Sequence, residues 1–168
     1  MLMEPALWGL FGTIVGAAAS IATTWLTNRS ASNLQTAART AEIQENKRAF
    51  QRETIVELQD AFHNAIRNIM VAHLEDCRAN DGGTSWGSNL LPNDLSDQIR
   101  LSNRRVMLLV ERVHNDELRA LIKSVLAEAN AITSECPSRQ EAQSRLDNAT
   151  NLSVKAIEKS GSVLRDLF

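Results

Sequence analysis

The sequence has few of the residues that sheets, turns and disulfide frameworks need. Its 168 residues include no tyrosine, seven glycines, three prolines and two cysteines. Sheet proteins use β-branched and aromatic residues with frequent turns, and small secreted proteins use many disulfides, so both classes are disfavoured. The formal net charge of −2 gives no general attraction to nucleic acid, which is therefore not an expected partner. This composition predicts an all-α fold.

Charge is also absent from the opening of the chain, between Pro5 and Asn28. Most positions there are apolar or small, and a helix needs about 20 such residues to cross a bilayer. Trp8 and Trp25 are about 25 Å apart along a helix, close to the thickness of the hydrocarbon layer. We therefore expect a transmembrane helix over residues 5–28, with the lipid bilayer as a partner. A cleaved signal peptide and a buried core helix are the alternatives.

Basic residues follow this segment and do not precede it. They are Arg29, Arg39, Lys47, Arg48 and Arg52. The positive-inside rule then predicts a single-pass protein of the inner (plasma) membrane, with its N-terminus outside and its C-terminal domain in the cytoplasm.

Small residues follow one side of the predicted membrane helix at three- and four-residue spacing. They are Gly9, Gly12, Gly16, Ala19 and Thr23. Small residues at this spacing let two helix backbones approach closely, so they predict a transmembrane association face and a homo-oligomer. A pore is less favoured, because no ionisable residue lies inside the segment to mark an ion path.

The rest of the chain has the spacing of amphipathic helices. Residues 29–54 carry few apolar residues and predict a helical stalk, weakly coiled, whereas residues 55–168 predict an antiparallel bundle of three to four helices. Between residues 80 and 93 lies the one clear loop, which Trp86, Leu90 and Leu91 are expected to pin to the bundle. Ser138 and Glu141 form a capping box for the last helix.

Asn115 decides how many helices the bundle has. It precedes two acidic residues and is a plausible N-cap for a new helix. If the chain reverses there, the bundle has four helices, and if the chain only kinks, three long helices pair. No glycine supports a tight reversal, so both arrangements stay open.

The last helix has a regular apolar face that either joins the bundle core or binds a partner. The residues that define this bundle or partner face are Leu146, Ala149, Ala156, Val163 and Leu167.

No catalytic, cofactor-binding or metal motif stands out, so we expect no enzyme activity, no cofactor and no metal. His73 and Cys77 lie one helical turn apart, and Cys136 could join them at the same end of a four-helix bundle. A zinc site needs four ligands and usually paired cysteines, and neither is present.

A resemblance to other proteins rests on three stretches of the chain, which are residues 25–29, 52–59 and 105–119. On them the chain resembles a loose group of uncharacterised bacterial proteins with one Gly/Ala-rich membrane helix at the N-terminus and a cytoplasmic helical domain. The resemblance implies a bacterial or phage origin and brings no activity and no functional residues.

Together these features predict a membrane-anchored helical interaction or scaffold protein without catalytic activity, which binds itself or an unidentified protein partner. The alternative is an oligomeric, membrane-perturbing effector or small channel of the phage-exclusion or toxin-like kind.

Overall fold

The computed structural model describes residues 4–168, with side-chain detail at position 9 and positions 12–168. Over residues 4–168 the chain forms four α-helices and no strand. They are α1 (Glu4–Asp81), α2 (Asn93–Val110), α3 (Asp116–Ser134) and α4 (Arg139–Arg165). The chain divides into two compact units, one ending at Lys47 and one comprising Arg48–Phe168. The domain boundaries predicted at residues 28/29 and 54/55 stay predictions.

The predicted transmembrane helix over residues 5–28 is wrong. No helix in the part of the chain that the structure describes is long and apolar enough to cross a bilayer. Positions 5–8, 10 and 11 of that segment lie outside the described side chains. From position 12 onward, hydroxyl groups interrupt the apolar residues, and Arg29 ends the uncharged run; the hydroxyls belong to Thr13, Ser20, Thr23, Thr24 and Thr27. The predicted single-pass inner-membrane localisation depended on this span and is wrong with it.

The second unit is a helical bundle, as predicted. Each neighbouring pair of helices is joined by two hydrogen bonds or ion pairs, and in every pair the contacted residue number falls along one helix as it rises along the other. These contacts are Asn68–Ser102 and Gln51–Arg112 for α1 and α2, Asn103–Asn130 and Glu111–Lys123 for α2 and α3, Glu128–Arg145 and Glu117–Lys159 for α3 and α4, and Arg52–Leu167 and Gln59–Ser160 for α1 and α4. All four neighbouring pairs are therefore antiparallel, in the up-down-up-down order of a four-helix bundle.

The chain reverses at Asn115 without a glycine. α2 closes with tight backbone bonds from Arg112 N to Leu109 O and from Val113 N to Val110 O, at 3.0 and 3.1 Å. The Asn115 side chain then accepts a hydrogen bond from Leu118 N at 2.9 Å and caps α3. The predicted cap is confirmed, and of the two arrangements left open by the sequence the structure has the reversing one.

Two apolar clusters form the bundle core. The larger one contains Leu58, Phe62, Val106, Leu118 and Ile122. The smaller one lies toward the loop between α1 and α2 and contains Ile69, Ala129, Ile132, Ala142 and Ala149. The capping box at the start of α4 is also confirmed, because Ser138 Oγ accepts a hydrogen bond from Glu141 N at 3.2 Å.

The loop between α1 and α2 contains two positions that favour glycine. Gly83 and Gly87 have φ angles of +92° and +73°, in the left-handed region that other residues rarely adopt. Trp86 packs against the smaller core cluster, as predicted. Leu90 does not pin the loop, since 92% of its surface is exposed.

Candidate functional site

The predicted association residues lie exposed on α1 in the first unit. Gly9, Gly12, Gly16, Ala19 and Thr23 are all exposed. A Cβ built on any of the three glycines would meet nothing within 4 Å. Each glycine costs an exposed helix about 1 kcal/mol relative to alanine, and no close contact with the residues that the structure describes explains that cost. A second surface that approaches the helix closely would explain it.

The same face of α1 continues beyond Thr23 without a charged residue as far as Gln44. The continuation keeps the three- and four-residue spacing, and its members are Leu26, Ser30, Leu34, Ala37, Ala41 and Gln44. We call Gly9, Gly12, Gly16, Ala19, Thr23 and these six residues the small-residue stripe. Leu26 and Leu34 are its large apolar members, with exposed fractions of 66% and 69%.

Two shallow grooves lie on the stripe, where small side chains leave the helix surface open. One is lined by Ala22, Thr23, Leu26, Thr27 and Ser30, and the other by residues between Asn33 and Gln44. Helices pack by placing the side chains of one into such grooves of the other.

Several threonine hydroxyl groups in the first unit are already hydrogen-bonded within the helix. Thr23 Oγ1 donates to Ala19 O at 2.8 Å, and Thr27 Oγ1 donates to Thr23 O at 2.8 Å. Threonine commonly bonds back to the carbonyl four residues earlier. These threonines could therefore be covered by an apolar surface without losing a hydrogen bond to water, a loss that otherwise opposes burial.

The opposite face of the first unit is bulkier and charged. Ile14, Ile21 and Trp25 lie there, and the Arg29 guanidinium lies over the Trp25 ring at 5.3 Å from its centre. Arg39 follows on the same face. Pairing through this face would remove both arginines from water, so the face is less suited to association than the stripe.

In the second unit an apolar cleft of about 360 Å³ opens between α1 and α4. Its floor and walls include Leu58, Phe62, Ile122 and Ile157. A hydrogen bond of 2.7 Å from Gln59 Nε2 to Ser160 Oγ closes one part of it. No local pattern in the sequence indicates this cleft, because it forms between helix segments that are about 100 residues apart in the chain.

The predicted bundle or partner face of α4 lies against its own bundle. Ala149 and Ala156 are buried in the two core clusters, and Leu146 and Val163 pack against those clusters. Leu167 is half-buried, and its carbonyl accepts a hydrogen bond from Arg52 at 2.9 Å. These contacts leave little of this face open to a partner.

The end of the bundle near the α1–α2 loop brings together His73 and Cys77, as their spacing indicates. His73 Nε2 lies 3.6 Å from Cys77 Sγ. The Trp86 ring covers the imidazole edge to face, with ring centres 5.8 Å apart, and only 3% of the His73 surface is exposed. Burial lowers the pKa of His73, against smaller opposing effects of Asp76 and Gln143, so the surroundings favour the neutral imidazole.

Cys136 lies near this group but in a different setting. Trp86 Nε1 donates to Cys136 O at 3.1 Å, whereas the Cys136 thiol donates to Ala131 O at 3.3 Å. Both cysteines are free thiols. Among the side chains that the structure describes, no three histidines, cysteines or carboxylates come together as a metal site requires.

Comparison with known proteins adds no further constraint: the chain matches no protein-family model, no curated protein and no solved structure. The resemblance to uncharacterised bacterial membrane proteins therefore stays an expectation.

Proposed function

We propose that the protein is a non-enzymatic helical scaffold that associates with a second copy of itself through the small-residue stripe of α1. The four-helix bundle is then displayed twice in one assembly. Membrane anchoring forms no part of this proposal, and neither does the membrane-perturbing alternative, which required the same span.

One observation carries the proposal: every side chain described from position 12 to position 47 is exposed. Isolated helices gain too little from backbone hydrogen bonds alone to be firmly stable in water, and most helices in proteins are held by burying an apolar face. The first unit offers such a face along the stripe, so a second copy would supply the missing partner surface.

The chemistry of the stripe favours another stripe as the partner. It is uncharged over its whole length, so two stripes meet without burying an unpaired charge. Leu26 and Leu34 supply side chains for the grooves of the other copy, and burying a leucine fully contributes about 1.5–3 kcal/mol. The glycines and alanines let the two backbones come close enough for these contacts.

The test is the mass of the full chain in aqueous buffer, measured by light scattering for three forms. The wild type is expected at twice the 18.6 kDa monomer mass. Ala19→Arg places a charge on the stripe and is expected to give the monomer mass. Ala18→Arg is the matched control, because it makes the same change one residue earlier on the other side of the helix and is expected to leave the dimer intact.

The pair of variants also separates this proposal from its nearest rival. If the bulky face of α1 were the interface, Ala18→Arg would dissociate the assembly and Ala19→Arg would not. A wild type that stays monomeric would overturn the proposal outright.

A further inference from the structure

The apolar cleft between α1 and α4 is a feature of the second unit that self-association through the stripe does not use. Its volume of about 360 Å³ lies within the range of pockets that hold small molecules, which begins at about 300 Å³. The cleft reaches inward as far as Leu58 and Ala156, which are buried at 2% and 0% exposure. An occupant would therefore enter the core rather than lie across a flat surface.

Small side chains on α4 create this space. Ser153, Ala156 and Ser160 follow one another at three- and four-residue spacing, and all of them line the cleft. The large side chains of Leu58 and Phe62 line it from α1. Protein interiors are normally close-packed, and larger residues at these α4 positions would fill the space. The cleft therefore follows from the sizes of these residues.

The walls of the cleft favour an uncharged occupant. Among the described residues that line it, none is aspartate, glutamate, lysine or arginine. His63 is the titratable residue of the lining, and it is exposed to solvent. A charged group that entered the cleft would lose its hydration without meeting an opposite charge, a cost that a neutral molecule avoids.

Gln59 and Ser160 form the polar part of the cleft. Gln59 Nε2 donates to Ser160 Oγ at 2.7 Å, and Ser160 Oγ donates to Ile157 O at 2.9 Å. A primary amide has two N–H donors and a carbonyl acceptor, so the bond to Ser160 leaves Gln59 able to bond a polar group of an occupant. A few placed polar groups in an otherwise apolar pocket are typical of ligand sites.

We propose that this cleft binds a compact, neutral and mainly apolar small molecule whose polar group bonds the Gln59 amide. The apolar body of the molecule lies between Phe62 on α1 and Ile157 on α4. Ile157 lines the cleft although 57% of its surface is exposed, so the occupant covers apolar surface that water otherwise contacts. This proposal does not depend on the dimer, because the stripe belongs to the first unit and the cleft to the second.

The test is a fluorescence titration of the full chain with N-phenylnaphthylamine, a neutral aromatic probe that carries a single N–H group. Anilinonaphthalenesulfonate has the same ring skeleton with an added sulfonate and serves as its charged counterpart. We expect saturable binding of one neutral probe molecule per chain, with a dissociation constant on the order of tenfold lower than that of the sulfonate, because the walls do not compensate a charge. Absence of saturable binding of the neutral probe, or equal affinity for both probes, would overturn the proposal.

Ile157→Asp and Val154→Asp are the matched variants for this titration. Both replace an exposed aliphatic residue of α4, with exposed fractions of 57% and 52%, but of the two only Ile157 lines the cleft. We expect Ile157→Asp to weaken binding of the neutral probe by about tenfold or more, and Val154→Asp to bind it as the wild type does. If Ile157→Asp does not fold, Ser153→Phe, which fills the cleft, decides instead. Wild-type affinity in the folded cleft variant contradicts the proposed site.

Ala19→Arg separates the cleft from the stripe. This variant is expected to bind the neutral probe with wild-type affinity, so a failure of self-association leaves the result at the cleft unchanged. Loss of probe binding in Ala19→Arg would show that the probe binds the stripe, and would overturn the proposal. A wild-type dimer that falls to the monomer mass in Ile157→Asp would identify a second copy as the occupant and overturn it as well.

Discussion

At the scale of single residues, the buried imidazole of His73 links the fold to pH. Because burial lowers its pKa, the folded chain binds the proton less readily than the unfolded chain does. The stability that His73 contributes is therefore fully present above its ordinary pKa of about 6.5 and is lost as the pH falls through the lowered value.

We expect the free energy of unfolding to decrease as the pH falls below about 6.5, and part of that decrease to be absent in His73→Gln. Urea unfolding at several pH values measures it. The exposed His63→Gln variant should follow the wild-type pH dependence. If His73→Gln followed it too, the buried imidazole would not be the group responsible.

Contacts between residues of one helix can be predicted from the sequence more easily than contacts between different elements. His73 and Cys77 are four residues apart on one helix, so their proximity could be predicted from helical geometry. Trp86 reaches the same place from the loop between α1 and α2, and no local pattern in the sequence indicates this contact. The proximity of His73 and Cys77 could therefore be predicted from the sequence, whereas the contact of Trp86 with His73 could not.

At the scale of elements, two of the helix caps could be predicted from the sequence. Asn115 and Ser138 were predicted as caps, and both accept the expected backbone hydrogen bond. Such bonds join residues three apart, so the sequence contains all the information they need. Whether the chain reverses or only kinks at Asn115 depends on packing between α2 and α3. The local sequence pattern does not determine this packing.

The Asn115 cap should be measurable in stability. Asn115→Ala removes the acceptor for Leu118 N, so we expect the free energy of unfolding to fall by about 1 kcal/mol. Asn151→Ala, at an exposed position within α4, makes the same change without removing a cap and is expected to have little effect. Equal urea midpoints for Asn115→Ala and the wild type would show that the cap does not stabilise the reversal.

The face of α4 is an element whose role the sequence left open between core and partner. Val163 packs against the larger core cluster, whereas Val154 on the same helix is 52% exposed. We expect Val163→Asp to lower the free energy of unfolding by about 2 kcal/mol or more, because it moves a charge into apolar surroundings.

Val154→Asp is the matched control for that change and should unfold at nearly the wild-type urea concentration. If Val163→Asp were as stable as Val154→Asp, the face would be open to solvent and available to a partner.

At the scale of the whole molecule, the error in the sequence-based account came from treating an uncharged run as an apolar one. Residues 12–28 lack charge but carry five hydroxyl side chains, and no described helix is apolar enough to cross a bilayer. The small residues that indicated a membrane helix have a second explanation, because close approach of two backbones needs them in water as well.

In the proposed assembly, the first unit is held as a helix by a second copy packed on the small-residue stripe. Hydrogen exchange of the full chain, followed by mass spectrometry over residues 12–47, tests it most directly. At a concentration where light scattering gives the dimer mass, we predict slow exchange of these backbone amides in the wild type and Ala18→Arg, and fast exchange in Ala19→Arg. Equally fast exchange in all three forms would contradict the claim.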